Sequence, residues 1–193
     1  MWKKVEKEAR LTMSTFLSGS HAVKVDEKNR FVLPQTFRYG LCEEGKLEFT
    51  MGLGLGGCLA IYRKSAIDKI VQRFQQKQHI AKYQPFFTMF FSTLHQTTCD
   101  QIGRTNIPQL LKDAVGIQKE IIVAGVLNKI EIWPKEVYDR NLQRLLRGEE
   151  KEMDLKKMME EAFALLDETP EEAKNKTVGS PVKISEETFS FVN

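Results

Sequence analysis

The sequence predicts an α+β protein made from one strand–turn–strand–helix unit that occurs twice. Three observations carry that prediction. A stretch near the N-terminus matches a second stretch at a fixed offset. Each copy is followed by a pair of strand-like segments. Apolar residues at helical spacing fill the region between the copies and the region after them.

The repeat comes first because everything else hangs on it. His21-Ala-Val-Lys-Val-Asp-Glu-Lys-Asn-Arg-Phe-Val-Leu-Pro34 lies over His95-Gln-Thr-Thr-Cys-Asp-Gln-Ile-Gly-Arg-Thr-Asn-Ile-Pro108. His21 meets His95, Asp26 meets Asp100, Arg30 meets Arg104 and Pro34 meets Pro108, all four pairs in one register. Downstream, Cys58-Leu-Ala-Ile-Tyr62-Arg-Lys64 lies over Lys129-Ile-Glu-Ile-Trp133-Pro-Lys135, with the register shortened by three. A change of three within one loop fits a surface insertion, and gene duplication accounts for the pair.

Each copy then reads in order. Residues 22–26 form a strand with Val23 and Val25 on one face, and 30–33 return as a second strand. Between them, Glu27-Lys28-Asn29 and Gln101-Ile102-Gly103 are turns, and Asn29 and Gly103 both tolerate a positive φ. Pro34 and Pro108 suit the first turn of a short helix. The second strand pairs are 47–51 with 59–62, and 120–126 with 129–133. Ile67, Ile70, Val71 and Phe74 mark a helix over 65–78, and 82–91 is rich in phenylalanine. Pro134 opens a helix whose apolar face holds Val137, Tyr138, Leu142, Leu145 and Leu146. Leu155, Met158, Met159, Ala162, Phe163 and Leu166 give 149–166 an amphipathic pattern, either for packing or for a partner. Beyond it, a charged tail is expected to be mobile.

Charge divides the chain. Of 29 basic and 26 acidic residues, 6 and 12 lie in 149–193, which leaves 23 and 14 in 1–148. The body is therefore basic at +9 and the tail acidic at −6. A basic body suits a polyanion, because neutralising phosphates drives sequence-independent affinity for nucleic acid. The apolar stretches fall well short of the roughly 20 residues that span a bilayer. Residues 1–13 lack the apolar run of a secretory signal. A cytoplasmic protein with no membrane partner is the expectation. Cys42, Cys58 and Cys99 are odd in number and lack C-x-x-C spacing, which predicts reduced, structural thiols.

Candidate chemistry centres on D-x-x-x-R, present as Asp26…Arg30 and Asp100…Arg104. One copy alone would be an ordinary ion pair across a turn. Two copies in register, beside Lys24, Lys28, Arg38 and Lys112, point to binding of phosphates or base edges. Gly52-Leu-Gly54-Leu-Gly-Gly57 satisfies G-x-G-x-x-G, but a strand follows it where a dinucleotide site needs a helix. It reads as a hairpin loop. His21, His95 and Asp100 fit no common metal spacing. No catalytic residue, cofactor, metal or small-molecule substrate is predicted, and a metal-dependent hydrolase ranks last.

At the duplicated D-x-x-x-R units the chain resembles the MraZ family, bacterial regulators with two SpoVT/AbrB-type domains. The matching stretches are Phe16-Leu-Ser-Gly19, Val25 to Pro34 with Phe37-Arg38, Gly57 to Tyr62, and Phe90-Phe-Ser92. They continue through Asp100 to Arg104, Gly116-Ile117, Lys119 to Gly125 and Asn128 to Trp133. The resemblance implies two swapped-hairpin β units forming an intrachain pseudo-dimer barrel with flanking helices. It also implies a ring, octameric or dodecameric, that binds direct repeats in its own promoter upstream of division and cell-wall genes. Such a regulator would sit on the nucleoid. Its DNA contacts would fall on Asp26, Arg30, Asp100 and Arg104, with Lys28 and Arg38 behind them. An antitoxin-like interaction module is the alternative. The implied layout is an extension over 1–15, domains at 16–66 and 91–138, and a helical connector over 67–90. C-terminal helices over 139–166 and an acidic tail over 167–193 complete it.

Five departures from the family stand out, one of them the extra N-terminal residues 1–15. Asn29 takes the place of the usual glycine, and Thr105 that of an aliphatic residue. The 52–57 loop is glycine-rich, and the acidic tail is long. Copy one holds more cations, so Arg30's half is expected to supply more of the DNA affinity.

Overall fold

The computed structural model describes residues 16–147 together with Met159, Glu160, Ala162 and Phe163. The expected 1–15 extension, the 167–193 tail and most of the amphipathic 149–166 segment lie outside the described residues. Met159, Glu160, Ala162 and Phe163 are helical, as the 149–166 pattern predicts, and Met159 and Phe163 are exposed. The chain forms two compact units, 1–140 and 141–193.

Copy one runs β1 (Ser20–Lys24), β2 (Arg30–Val32), α1 (Gln35–Leu41), β3 (Phe49–Leu53) and β4 (Leu59–Arg63). Two helices follow, α2 (Lys64–Gln75) and α3 (Gln84–Ser92), with a 3-10 turn at Ala81–Tyr83 between them. Copy two repeats the order as β5 (His95–Thr97), β6 (Arg104–Asn106), α4 (Gln109–Ala114), β7 (Glu120–Val126) and β8 (Lys129–Pro134). Helix α5 (Lys135–Arg147) begins in the first unit and ends in the second. The molecule is thus mixed α+β with antiparallel strands. No helix among the described residues is long and apolar enough to cross a membrane.

The prolines sit one place away from the sequence expectation. Pro34 and Pro108 precede their helices in extended geometry, and Pro134 ends β8. Each lies where its missing N–H costs no hydrogen bond of a helix interior.

Strand pairing departs from a chain of local hairpins. The six-stranded sheet has the order β1-β7-β8-β4-β3-β5, and β2 pairs with β6 in a separate ribbon. So β1 of copy one lies on β7 of copy two, and β5 of copy two lies on β3 of copy one. Exchanging the two copies maps every pairing onto another or onto itself. The first strand is accordingly Ser20–Lys24 instead of 22–26, because its partner on β7 sets its ends.

Register also corrects the expected insertion. His21 faces Val123 and His95 faces Met51, so Met51 of β3 is the counterpart of Val123 of β7. Leu59↔Ile132 and Ile61↔Ile130 make β4 and β8 counterparts in the register read from the sequence. The three-residue change is therefore split. Two residues fall before β3, where Glu43 and Lys46 form a tight bridged turn, and one falls in the hairpin that follows. Strand β3 extends to Leu53, past the expected end at Met51, and Gly52 makes room there. A Cβ at Gly52 would lie 2.7 Å from Leu94 Cδ2.

One core serves both copies. Phe31 and Leu33 from β2 and its flank pack with Phe37 and Leu41 of α1, and Ile107 and Leu111 supply the copy-two side. Met51, Ile61, Ile121, Val123, Ile130 and Ile132 complete the sheet face. Full burial of side chains of this size is worth about 1.5–3 kcal/mol each, so neither copy keeps its core without the other. Gly125 seals the edge: a Cβ there would stand 2.5 Å from Ser18 N, where Leu17 and Leu127 exchange two backbone hydrogen bonds.

Candidate nucleic-acid interface

The two D-x-x-x-R segments fold into near-identical turns. In turn one, Asp26 Oδ1 accepts the backbone N–H of Lys28 (2.9 Å) and of Arg30 (2.8 Å). Asp26 Oδ2 accepts Arg30 Nε at 2.9 Å, with Nη2 at 2.8 Å. In turn two, Asp100 Oδ1 accepts Ile102 N (3.1 Å) and Arg104 N (2.8 Å), and Oδ2 accepts Arg104 Nε at 2.7 Å. An aspartate reaching forward to its own backbone is the standard local device for stabilising such a turn. The spacing D-x-x-x-R is what that reach requires.

Both turns need a positive φ at the residue before the arginine. Asn29 has φ 59° and Gly103 has φ 88°. Asparagine adopts this region more readily than other side-chain-bearing residues, so the departure from glycine leaves the turn intact.

The hydrogen bonds from Arg30 and Arg104 hold the Asp26 and Asp100 carboxyls below the usual aspartate range. Both carboxylates are therefore ionised at neutral pH. Each fixes one edge of a guanidinium whose five donors lie in a rigid fork. The arginines remain partly exposed, at 36% and 40%. An ion pair this open does little for stability; its consequence is orientation.

The sequence placed these turns in separate copies, and the fold puts them on one ribbon. Arg30 faces Asn106, Phe31 faces Thr105, and Val32 faces Arg104. Phe31 and Thr105 point into the core at 2% and 3% exposure. Arg30, Val32, Arg104 and Asn106 therefore share the outward face. Diagonal neighbours on such a pair lie about 7–8 Å apart, which brings the two arginines side by side.

The remaining candidates divide. Lys28 stands exposed at the apex of turn one, where turn two has the exposed Ile102. Arg38 does not join turn one. Its guanidinium lies against Gly103, so that a Cβ there would meet Arg38 Cζ, Nη1 and Nε at 2.7, 2.8 and 2.9 Å. Its counterpart Lys112 crosses the other way, donating from Nζ to Asn29 Oδ1 at 2.7 Å. Asn29 Nδ2 donates to Gln109 Oε1, also at 2.7 Å. Asn29 and Gln109 were missed in the sequence as partners. The repeated Pro-Gln at 34–35 and 108–109 was the signal available.

The backbone repeats the crossing. Leu33 N donates to Gly103 O at 2.9 Å, and Ile107 N donates to Asn29 O at 2.8 Å. Each turn is thus tied to the entrance of the other copy's helix.

The two histidines are both exposed. His21 meets Phe37 edge-on at 5.3 Å, and His95 lies on the short edge strand β5. Among the described residues, no three His, Cys, Asp or Glu side chains gather as metal ligands. The cysteines are free; burial pushes the Cys58 thiol up to about 12 and Cys99 up to about 11. Gly54 to Cys58 closes the β3–β4 hairpin, as the strand after the glycine run predicts.

A family model described as "MraZ protein, putative antitoxin-like" matches residues 16–87 and again 90–162, each match containing one turn and its flanking strands. The chain belongs to the MraZ family.

Proposed function

We propose that this protein is a DNA-binding transcriptional regulator of the bacterial division and cell-wall gene cluster. In this reading it binds direct repeats in its own promoter as a homo-oligomeric ring. The observation that carries the proposal is the pair of carboxylate-oriented arginines, Arg30 and Arg104, on one outward-facing ribbon. An arginine held by a neighbouring carboxylate presents a fixed fork, the geometry that pairs bidentately with guanine O6 and N7. The basic 1–148 segment supplies the sequence-independent attraction. The exchange of strands between copies supports the swapped-hairpin barrel as the fold that displays them. Repeated boxes follow from the ring, since linked weak contacts gain about 10²–10⁴-fold in total affinity. A nucleoid-associated location in the cytoplasm completes the proposal.

The test is a mobility shift with the DNA upstream of the protein's own coding sequence, against the same duplex with scrambled boxes. Tight, salt-sensitive binding to the first is expected. Equal binding to both, or normal binding by an Arg30→Ala/Arg104→Ala double variant, overturns specific contact by these residues.

The family description favours a second reading, an antitoxin-like interaction module. It expects a protein partner that co-purifies and is lost when residues 149–193 are deleted, with no preference for the boxed duplex.

A further inference from the structure

We propose that Arg38 is a phosphate-contact group of turn two, although it belongs to copy one, and that Gly103 is the residue that admits it. This rests on the DNA-binding reading above. Three guanidinium atoms of Arg38 stand at nearly equal distances, 2.7, 2.8 and 2.9 Å, from the Gly103 Cβ position. Its plane therefore faces the backbone of turn two. Any side chain at 103 would occupy that space.

The equivalent place on turn one is filled differently. Asn29 carries a side chain, and its amide oxygen takes the ammonium of Lys112 while its amide nitrogen bonds Gln109. Arginine opposite glycine has become lysine opposite asparagine. The two arrangements fill one volume, but they leave different groups available. Lys112 has one of its three donors committed. Arg38 Nε is buried with no hydrogen-bond partner among the described residues, so a phosphate can be met only by the part of the residue that stays exposed.

Among the described residues, no carboxylate orients Arg38 as Asp100 orients Arg104. Phosphate contacts position a protein on DNA and base contacts specify the sequence; with no carboxylate to aim its fork at a base edge, Arg38 is assigned the positioning role. Turn two then pairs an oriented arginine with a flanking phosphate contact. Turn one has Arg30 and Lys28, with Lys112 reaching it from copy two. The expectation that Arg30's half supplies more affinity counted Arg38 with copy one and Lys112 with copy two, and the crossing exchanges the two.

The test is a double-mutant cycle on binding, using full-length protein and two duplexes, the upstream DNA and its scrambled form. Arg38→Ala is expected to weaken both duplexes alike, about tenfold, and to reduce the salt slope by about one. Combined with Arg104→Ala its loss is expected to be non-additive, and combined with Arg30→Ala additive. Gly103→Asn, which keeps the turn as Asn29 does, is expected to reproduce the Arg38→Ala loss. Thermal midpoints identify any variant that has merely unfolded, and Gly103→Asn tests the point if Arg38→Ala does. Coupling to Arg30 instead of Arg104, or an unchanged salt slope in both Arg38→Ala and Gly103→Asn, overturns the proposal. If Arg30→Ala and Arg104→Ala are both silent, the DNA-binding reading itself has failed, a distinct outcome.

Discussion

Turn one and turn two share their hydrogen-bond pattern almost atom for atom, yet they are backed by different chemistry. Behind turn one, Asn29, Gln109 and Lys112 form a polar cluster linking the copies. Behind turn two, the Arg38 guanidinium lies flat on Gly103. Beneath them, the equivalent inward positions hold Phe31 and Thr105, which face each other across the ribbon. The two copies therefore preserve what the turn needs locally and diverge where only volume and partner matter. After a duplication, a position whose partner lies in the other copy can change only together with that partner.

The largest expected effect tests the inward positions. Phe31→Ala removes a fully buried aromatic and is expected to cost about 3–5 kcal/mol in denaturant unfolding. A loss under about 1 kcal/mol would mean the shared core does not depend on the ribbon.

Next come the arginines singly. Arg30→Ala and Arg104→Ala are each expected to cost about 1–3 kcal/mol in binding to the boxed duplex. The Arg30→Ala loss should equal or exceed that of Arg104→Ala, because Lys28 and Lys112 stand by turn one and Arg38 alone by turn two. A clearly larger Arg104 effect would mean that the Arg38 contact outweighs the lysines of turn one.

Thr105→Val should stabilise by roughly 1 kcal/mol, because the buried Thr105 hydroxyl has no hydrogen-bond partner among the described residues. Destabilisation would show that the hydroxyl is satisfied in solution.

The smallest effect is in acid. The folded pKa values of Asp26 and Asp100 lie below the ordinary 3.8. Their contribution is therefore complete above about pH 4 and is lost as pH falls through the lower folded values. The Asp26→Asn/Asp100→Asn variant should show a shallower fall in thermal midpoint below about pH 4, and an unchanged slope near neutrality. Equal acid slopes in parent and variant would remove the turns from acid denaturation.

Much of this was legible in the chain. Asp26, Asp100, Asn29, Gly103 and the two prolines mark the turns because their chemistry is local. An aspartate reaches its own backbone two and four positions on, and a positive φ restricts the residue that holds it. The β3–β4 and β7–β8 hairpins were legible for the same reason. The family resemblance, carried by matched stretches from Phe16 to Trp133, was legible as well. Hidden in the sequence were the ends of β1, the split of the three-residue insertion, and the side to which Arg38 belongs. Each depends on a partner in the other copy.

By itself, then, the sequence determined that a turn with an oriented arginine occurs twice on a basic body. Only the tertiary structure decided that both arginines share one ribbon face and that each turn is completed by the opposite copy. The physical reason is that turn chemistry is settled between near neighbours in the chain. Strand pairing, by contrast, is settled by which surfaces bury their apolar faces together, and Val23, Ile61 and Ile121 look equally ready for several partners until the core closes.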